Sequence, residues 1–184
     1  MEKITLSDFL KLERKALAGK VFCFPTDTVY GLAALYGDQE GIKKIYELKG
    51  RSFTKPLANL CSGIEQITEL GIQIPKFALE LMKKHWPGPL TLILKGPEGK
   101  VSFRMPDSEI ALKIIDRFSL LPTTSVNESG KPEMNSMAKI EAAFGNRIDY
   151  FITDRSNFSG LPSTVADVSE GAIKIIRQGA ISIE

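Results

Sequence analysis

The short run Val21-Phe22-Cys23-Phe24, halted at Pro25, constrains the fold more than any other stretch of this chain. An apolar run that stops at proline reads as a buried strand ending in a turn, because proline cannot donate to a sheet ladder and restricts the residue before it. Thr26, Asp27, Thr28 and Tyr30 then place hydroxyls and a carboxylate at that strand's carboxyl end. In open α/β sheets ligands bind at this edge. The alternative is a loop whose Thr and Asp side chains satisfy their own backbone.

Similar punctuation recurs along the chain. Thr5 to Asp8 has the form of a capping box, and the apolar spacing after it predicts a helix ending near Gly19. Apolar residues continue over 29–35, and Asp38 is placed to cap a second helix that runs into Lys49-Gly50-Arg51. Residues 56–60 read as a strand, 64–70 and 75–84 as helices, and Trp86-Pro87-Gly88-Pro89 as a stiff turn launching a strand over 90–94. Arg104 ends another short strand before Pro106. A helix over 108–118 precedes a strand over 120–124, which empties into Thr124-Ser125-Val126-Asn127. Residues 131–135 read as a loop, 137–144 as a helix and 149–153 as an edge strand. Ser163-Thr164 precedes a further strand, and 172–176 leads into Arg177-Gln178-Gly179.

Lys49, Arg51 and Lys55 form a cationic cluster with no acid beside them. They read either as cations capping a helix C-terminus or as donors to an anionic ligand. Ser125 and Asn127 read either as a turn or as a pocket wall. His85, with nothing nearby in sequence to orient it as a base, reads as structural.

Composition narrows the functional classes. With 43% hydrophobic and 25% charged residues, the 184-residue chain suits one globular domain over 1–184. A net charge of +2 argues against coating nucleic acid by bulk electrostatics. No apolar run approaches the ~18 residues of a membrane span, so a cytosolic protein with no membrane partner is expected. Cys23 and Cys61 form no C-x-x-C pair and read as reduced, buried thiols, and no metal site is expected. Neither a P-loop nor G-x-G-x-x-G occurs. Hydroxyls and cations at so many element ends point instead to one anion-binding pocket.

Seven motifs occur in order: P-T-D-T-V-Y-G-L (25–32), K-G-R with K-P-L (49–51, 55–57), W-P-G-P-L-T (86–91), R-x-P (104–106), T-S-x-N-x-S-G (124–130), P-S-T-V (162–165) and I-R-Q-G (176–179). Together they resemble the YrdC-type threonylcarbamoyl-AMP synthases. The resemblance implies an α/β fold with a twisted, mostly mixed β-sheet and flanking helices around a concave, positively charged pocket. It implies that L-threonine, bicarbonate and ATP are joined into threonylcarbamoyl-AMP with release of pyrophosphate, for threonylcarbamoyladenosine in tRNA. By the same carry-over, Thr28, Tyr30, Arg104, Ser125 and Ser163 hold threonine, while Lys49, Arg51, Lys55, Asn127, Asn135 and Arg177 hold ATP. Lys49 and Arg51 are the catalytic pair, and Mg²⁺ arrives with the triphosphate. Asp27 is read as orienting its loop, with a base role as the alternative.

Two departures stand out. This chain reads Asn59-Leu60-Cys61 where many relatives carry a histidine, and residues 131–135 lack the Ser-Pro-Thr pattern often found there. A paralogue that binds tRNA or double-stranded RNA, and one with a different carbamoyl acceptor, are the competing readings. Downstream tRNA-modification enzymes are the implied partners.

Overall fold

The computed structural model describes residues 1–183. Its strands are β1 (Glu2–Ile4), β2 (Phe22–Pro25), β3 (Tyr30–Ala33), β4 (Ala58–Leu60), β5 (Leu90–Gly96), β6 (Gly99–Arg104), β7 (Leu121–Ser125), β8 (Tyr150–Ile152), β9 (Thr164–Asp167) and β10 (Lys174–Arg177). Its helices are α1 (Leu6–Phe9), α2 (Gln39–Lys49), α3 (Glu65–Thr68), α4 (Lys76–His85), α5 (Glu109–Phe118) and α6 (Met137–Phe144). All ten strands join one sheet in the order β1-β8-β2-β3-β7-β4-β6-β5-β9-β10. Parallel and antiparallel pairs are interspersed, giving the mixed α/β sheet that the family resemblance implies.

Strand alternation decides which layer each side chain joins. On β2, Phe22 and Phe24 pack with Phe9 and the α5 residues Ile110, Ile114, Ile115 and Phe118. Cys23, between them, faces Ile45 and Tyr46 of α2 and Ile140 and Phe144 of α6. Full burial of each large apolar side chain contributes about 1.5–3 kcal/mol. At the other end of the sheet, Leu90, Leu92 and Leu94 of β5 pack on Ala78, Leu81 and Met82 of α4. Thr91 and Ile93 therefore point to the opposite face. There Ala58 pairs with Ser102 on one side and Thr123 on the other, so a row of small side chains crosses the middle of the sheet.

The start of α2 is set locally, as the sequence suggests, and its end is set by a glycine that the sequence reading does not single out. Asp38 accepts from the Gly41 N–H at 3.2 Å to start α2, and Gly50, at φ 57°, closes that helix in the left-handed conformation glycine favours. Both cysteines are free and buried.

Long-range contacts changed two expectations. Thr5 caps α1 by accepting the Asp8 N–H, and its hydroxyl donates to the Asp8 carboxylate, yet α1 ends after one turn, and Arg117 of α5 donates to the carbonyls of Leu10 and Leu12 beyond it. A separate 3₁₀ turn covers Arg14–Leu17. The strand around Tyr150 is not at an edge, since β1 pairs on its outer side and β2 on its inner side. The turn expected after the strand is a hairpin: β2 runs through Pro25, which pairs with Tyr30, and residues 26–29 close it.

Candidate active site

The hairpin turn is closed by Thr26, whose N–H and hydroxyl both donate to the Val29 carbonyl, at 3.3 and 2.6 Å. Its tip is held from outside: the N–H groups of Ser159 and Gly160 donate to the carbonyls of Asp27 and Thr28 at 2.9 and 2.8 Å. This turn and the end of β6 meet at Arg104. Its guanidinium donates to the Gly88 carbonyl (3.0 Å), the Thr28 hydroxyl (2.8 Å) and the Asp27 carboxylate (2.5 Å). Arg104 is only 6% exposed. Burial lowers its pKa and Asp27 opposes that shift, yet an arginine stays charged. Removing one partner of such a buried pair leaves an uncompensated charge, which is why the arrangement fixes the guanidinium. Asp27 is thus engaged as the partner of a cation.

The cationic cluster divides in two. The Lys49 ammonium, at the end of α2, donates to the Ser125 and Asn127 carbonyls (2.5 and 2.8 Å) and to Asn127 Oδ1 (2.7 Å), so all three of its protons are engaged. Burial first, and then the charge of Arg51, push its pKa down to about 8. Arg51 instead lies beyond Gly50 and donates to the Lys55 and Pro56 carbonyls at 3.0 and 3.1 Å, which shapes the loop bearing Lys55. On the opposite wall, Arg177 of β10 donates to the Ser163 carbonyl (3.2 and 2.8 Å) and hydroxyl (3.3 Å), and Ser163 Oγ lies 2.8 Å from Thr91 Oγ1.

These walls enclose a cavity of about 600 Å³ over the row of small side chains. Arg51, Lys55, Arg104 and Arg177 line it together with Thr28, Tyr30, Ser125 and Ser163, and no Asp or Glu is in the lining. Only Arg104 among these cations has a carboxylate partner among the described residues. Tyr30 is held between Phe151 and Phe158, with ring centroids at 5.4 and 5.5 Å. Burial raises its pKa.

Of the residues expected in the pocket, the structure leaves three out of the lining. Lys49 and Asn127 stand behind Ser125, because saturation of the ammonium requires carbonyls that only the β7 end supplies. Asn135 donates to the Gly160 carbonyl at 3.4 Å and also lies outside the lining. Ser102, Thr123 and Ala58 line the cavity and belong to none of the motifs, and Thr91, which closes W-P-G-P-L-T, lines it without having been assigned a role. Strand alternation on β5 and β6 is the signal that could have identified Thr91 and Ser102.

The molecule is thus a mixed α/β sheet carrying a cavity lined with cations and hydroxyls. The Sua5_yciO_yrdC family model, described as "Telomere recombination", matches residues 15–179. The chain belongs to this family. It is 37% identical over 177 residues to a threonylcarbamoyl-AMP synthase of Pyrococcus abyssi, covering 90% of this chain and 52% of that protein. It is 32% identical over 193 residues to a putative threonylcarbamoyl-AMP synthase of Methanocaldococcus jannaschii, covering 100% of this chain and 90% of that one. A crystal structure of P. abyssi Sua5 complexed with L-threonine superposes with a TM-score of 0.85 at 34% identity, over 97% of this chain and 56% of that one. The chain therefore spans about half the length of the P. abyssi relative.

Proposed function

We propose that the protein is a threonylcarbamoyl-AMP synthase, joining L-threonine, bicarbonate and ATP with release of pyrophosphate. The observation that carries this reading is the cavity lined by four cations and no carboxylate, in a chain similar to proteins bearing that name. Arg104, held at three points, is suited to the threonine carboxylate, with Thr28, Tyr30, Ser125 and Ser163 around the rest of the amino acid. Arg51, Lys55 and Arg177 face the cavity with no carboxylate partner and take the phosphates. Lys49 and Asn127 act through Ser125, which they hold in place, and Asn135 acts through the Gly160 loop.

The chemistry requires no enzyme nucleophile. The threonine amine attacks the bicarbonate carbon, and the bicarbonate hydroxyl leaves as water with a proton from the nitrogen, giving the carbamate; a carbamate oxygen then attacks the α-phosphorus as the bond to the bridging oxygen breaks, and pyrophosphate leaves. Alignment of such reactants is worth up to about 7–11 kcal/mol, and the cations offset charge developing on the phosphates. Magnesium enters as part of the MgATP substrate and keeps much of its water, since the cavity lining offers it no Asp or Glu. The product is an activated carbamoyl donor for threonylcarbamoyladenosine formation, taken up by downstream tRNA-modification enzymes. The purified protein, given bicarbonate and MgATP, is expected to release pyrophosphate only when L-threonine is added. Equal release without threonine refutes the reading.

A further inference from the structure

No acid lines the cavity, but one is tethered between two of its walls. The segment 131–135 is fastened twice to the wall that bears Ser125: the Asn127 side-chain nitrogen donates to the Lys131 carbonyl at 2.6 Å, and the Met134 N–H donates to the Val126 carbonyl at 2.9 Å. Met134 also packs against the core cluster that contains Val126. At the far end, the Asn135 side-chain nitrogen donates to the Gly160 carbonyl at 3.4 Å, in the loop that leads to Pro162 and Ser163 of the opposite wall. Glu133 lies inside these fastenings, so its backbone is held from both sides.

Glu133 is half-buried, and its carboxylate is in no ion pair among the described residues, whereas the nearby Glu128 pairs with Lys131 at 2.5 Å. Its charge nevertheless acts on both walls. Burial lowers the pKa of Arg177, and the charge of Glu133 opposes that shift. At Lys49, burial and then the charge of Arg51 lower the pKa, and Glu133 again opposes them. Lys49, Arg51, Arg177 and Glu133 therefore form one cluster of interacting charges. Within it, the Lys49 protons are already spent on Ser125 and Asn127, and Arg51 and Arg177 line the cavity at the end assigned to the phosphates. A phosphate chain entering there meets attraction from the two guanidinium groups and repulsion from the carboxylate.

We propose that Glu133 makes the site select magnesium-bound ATP over metal-free ATP, because a carboxylate in this cluster repels the fully charged free triphosphate more than one that magnesium has partly neutralised. Glu133 is then a specificity-determining residue that acts through its charge and at a distance. This inference rests on the synthase reading and specifies which form of the nucleotide the cavity admits.

Calorimetry on the full chain tests it with two probes, ATP with excess EDTA and ATP with excess magnesium. The wild type is expected to bind the magnesium form more tightly. Glu133→Gln, which removes the charge and keeps the shape, is expected to tighten metal-free ATP roughly tenfold and MgATP, with about half the charge, by no more than about threefold. Glu133→Asp, which keeps the charge, is expected to retain the wild-type preference. A purely structural role for Glu133, exerted through the position of segment 131–135, would shift both probes alike. Equal shifts overturn the proposal, and so does a loss confined to MgATP, the outcome expected of a direct magnesium ligand. A wild type that binds ATP in neither form overturns the synthase reading together with this one. A wild type that binds both forms equally, or a Glu133→Gln variant with the wild-type preference intact, overturns this one alone.

Discussion

Lys49 and Arg51 stand two positions apart in one motif and do different physical work. Lys49 is buried with three carbonyl acceptors, whereas Arg51 faces the cavity and holds only its own loop. Replacing Lys49 by Met strands those acceptors, an expected cost of about 3 kcal/mol and a fall in Tm of roughly 6–12 °C. Arg51→Ala is expected to move Tm by no more than about 2 °C while abolishing ATP-dependent turnover. Thermal melts paired with pyrophosphate assays check both, and equal melting losses would contradict the division. The sequence presented the two cations as equivalent. The left-handed Gly50 between them, which turns the chain out of α2, is what separates them.

Pairing between distant segments fixes the wall opposite the hairpin. The segment after β10 lies so close to 162–163 that a Cβ on Gly179 would overlap the Pro162 carbonyl and the Ser163 backbone. The Gly179 N–H reaches Thr164 Oγ1 at 3.0 Å, and the Ala180 N–H reaches the Pro162 carbonyl at 2.9 Å. Gly179→Ala should therefore push the two segments apart and loosen the grip of Arg177 on Ser163. The expected outcome is a rise in KM for ATP of at least about fivefold together with a lower Tm, measured on the full chain. Unchanged kinetics would show that the close approach does not matter to the site. The I-R-Q-G motif was legible as a strand and its end, but its contact with P-S-T-V was not, because nothing local in either motif encodes the other. Helix α1 teaches the same lesson: its cap was legible, while the contacts of Arg117, more than a hundred residues away, with the carbonyls just past its end were not.

For the molecule as a whole, the joining of β6 to β9 across β5 carries a pH dependence. Burial raises the Asp167 pKa, but hydrogen bonds from Ser169 and Lys100 outweigh it and hold the carboxyl down at about 2, below its ordinary 3.8. The unfolded chain then binds the proton more readily, so this group's stabilisation is present above the ordinary value and is lost as pH falls toward 2. Asp167→Asn should melt lower than wild type at neutral pH and show a smaller further loss between about pH 4 and about pH 2. Parallel melting curves for the two proteins over that window would rule out the contribution.

The sequence by itself determined most of the strands and helices, though not β1 or the early end of α1, together with the cap at Asp38 and the set of polar motifs, because propensity, capping and turn chemistry act over a few residues. It also indicated that these motifs share one pocket. Only the tertiary structure decided that Thr26-Asp27-Thr28 is a hairpin turn gripping Arg104, that Lys49 and Asn127 lie behind the wall, and that Ala58, Ser102 and Thr123 floor the cavity. Those outcomes depend on strand register between segments far apart in the chain, and on which acceptors reach each donor first.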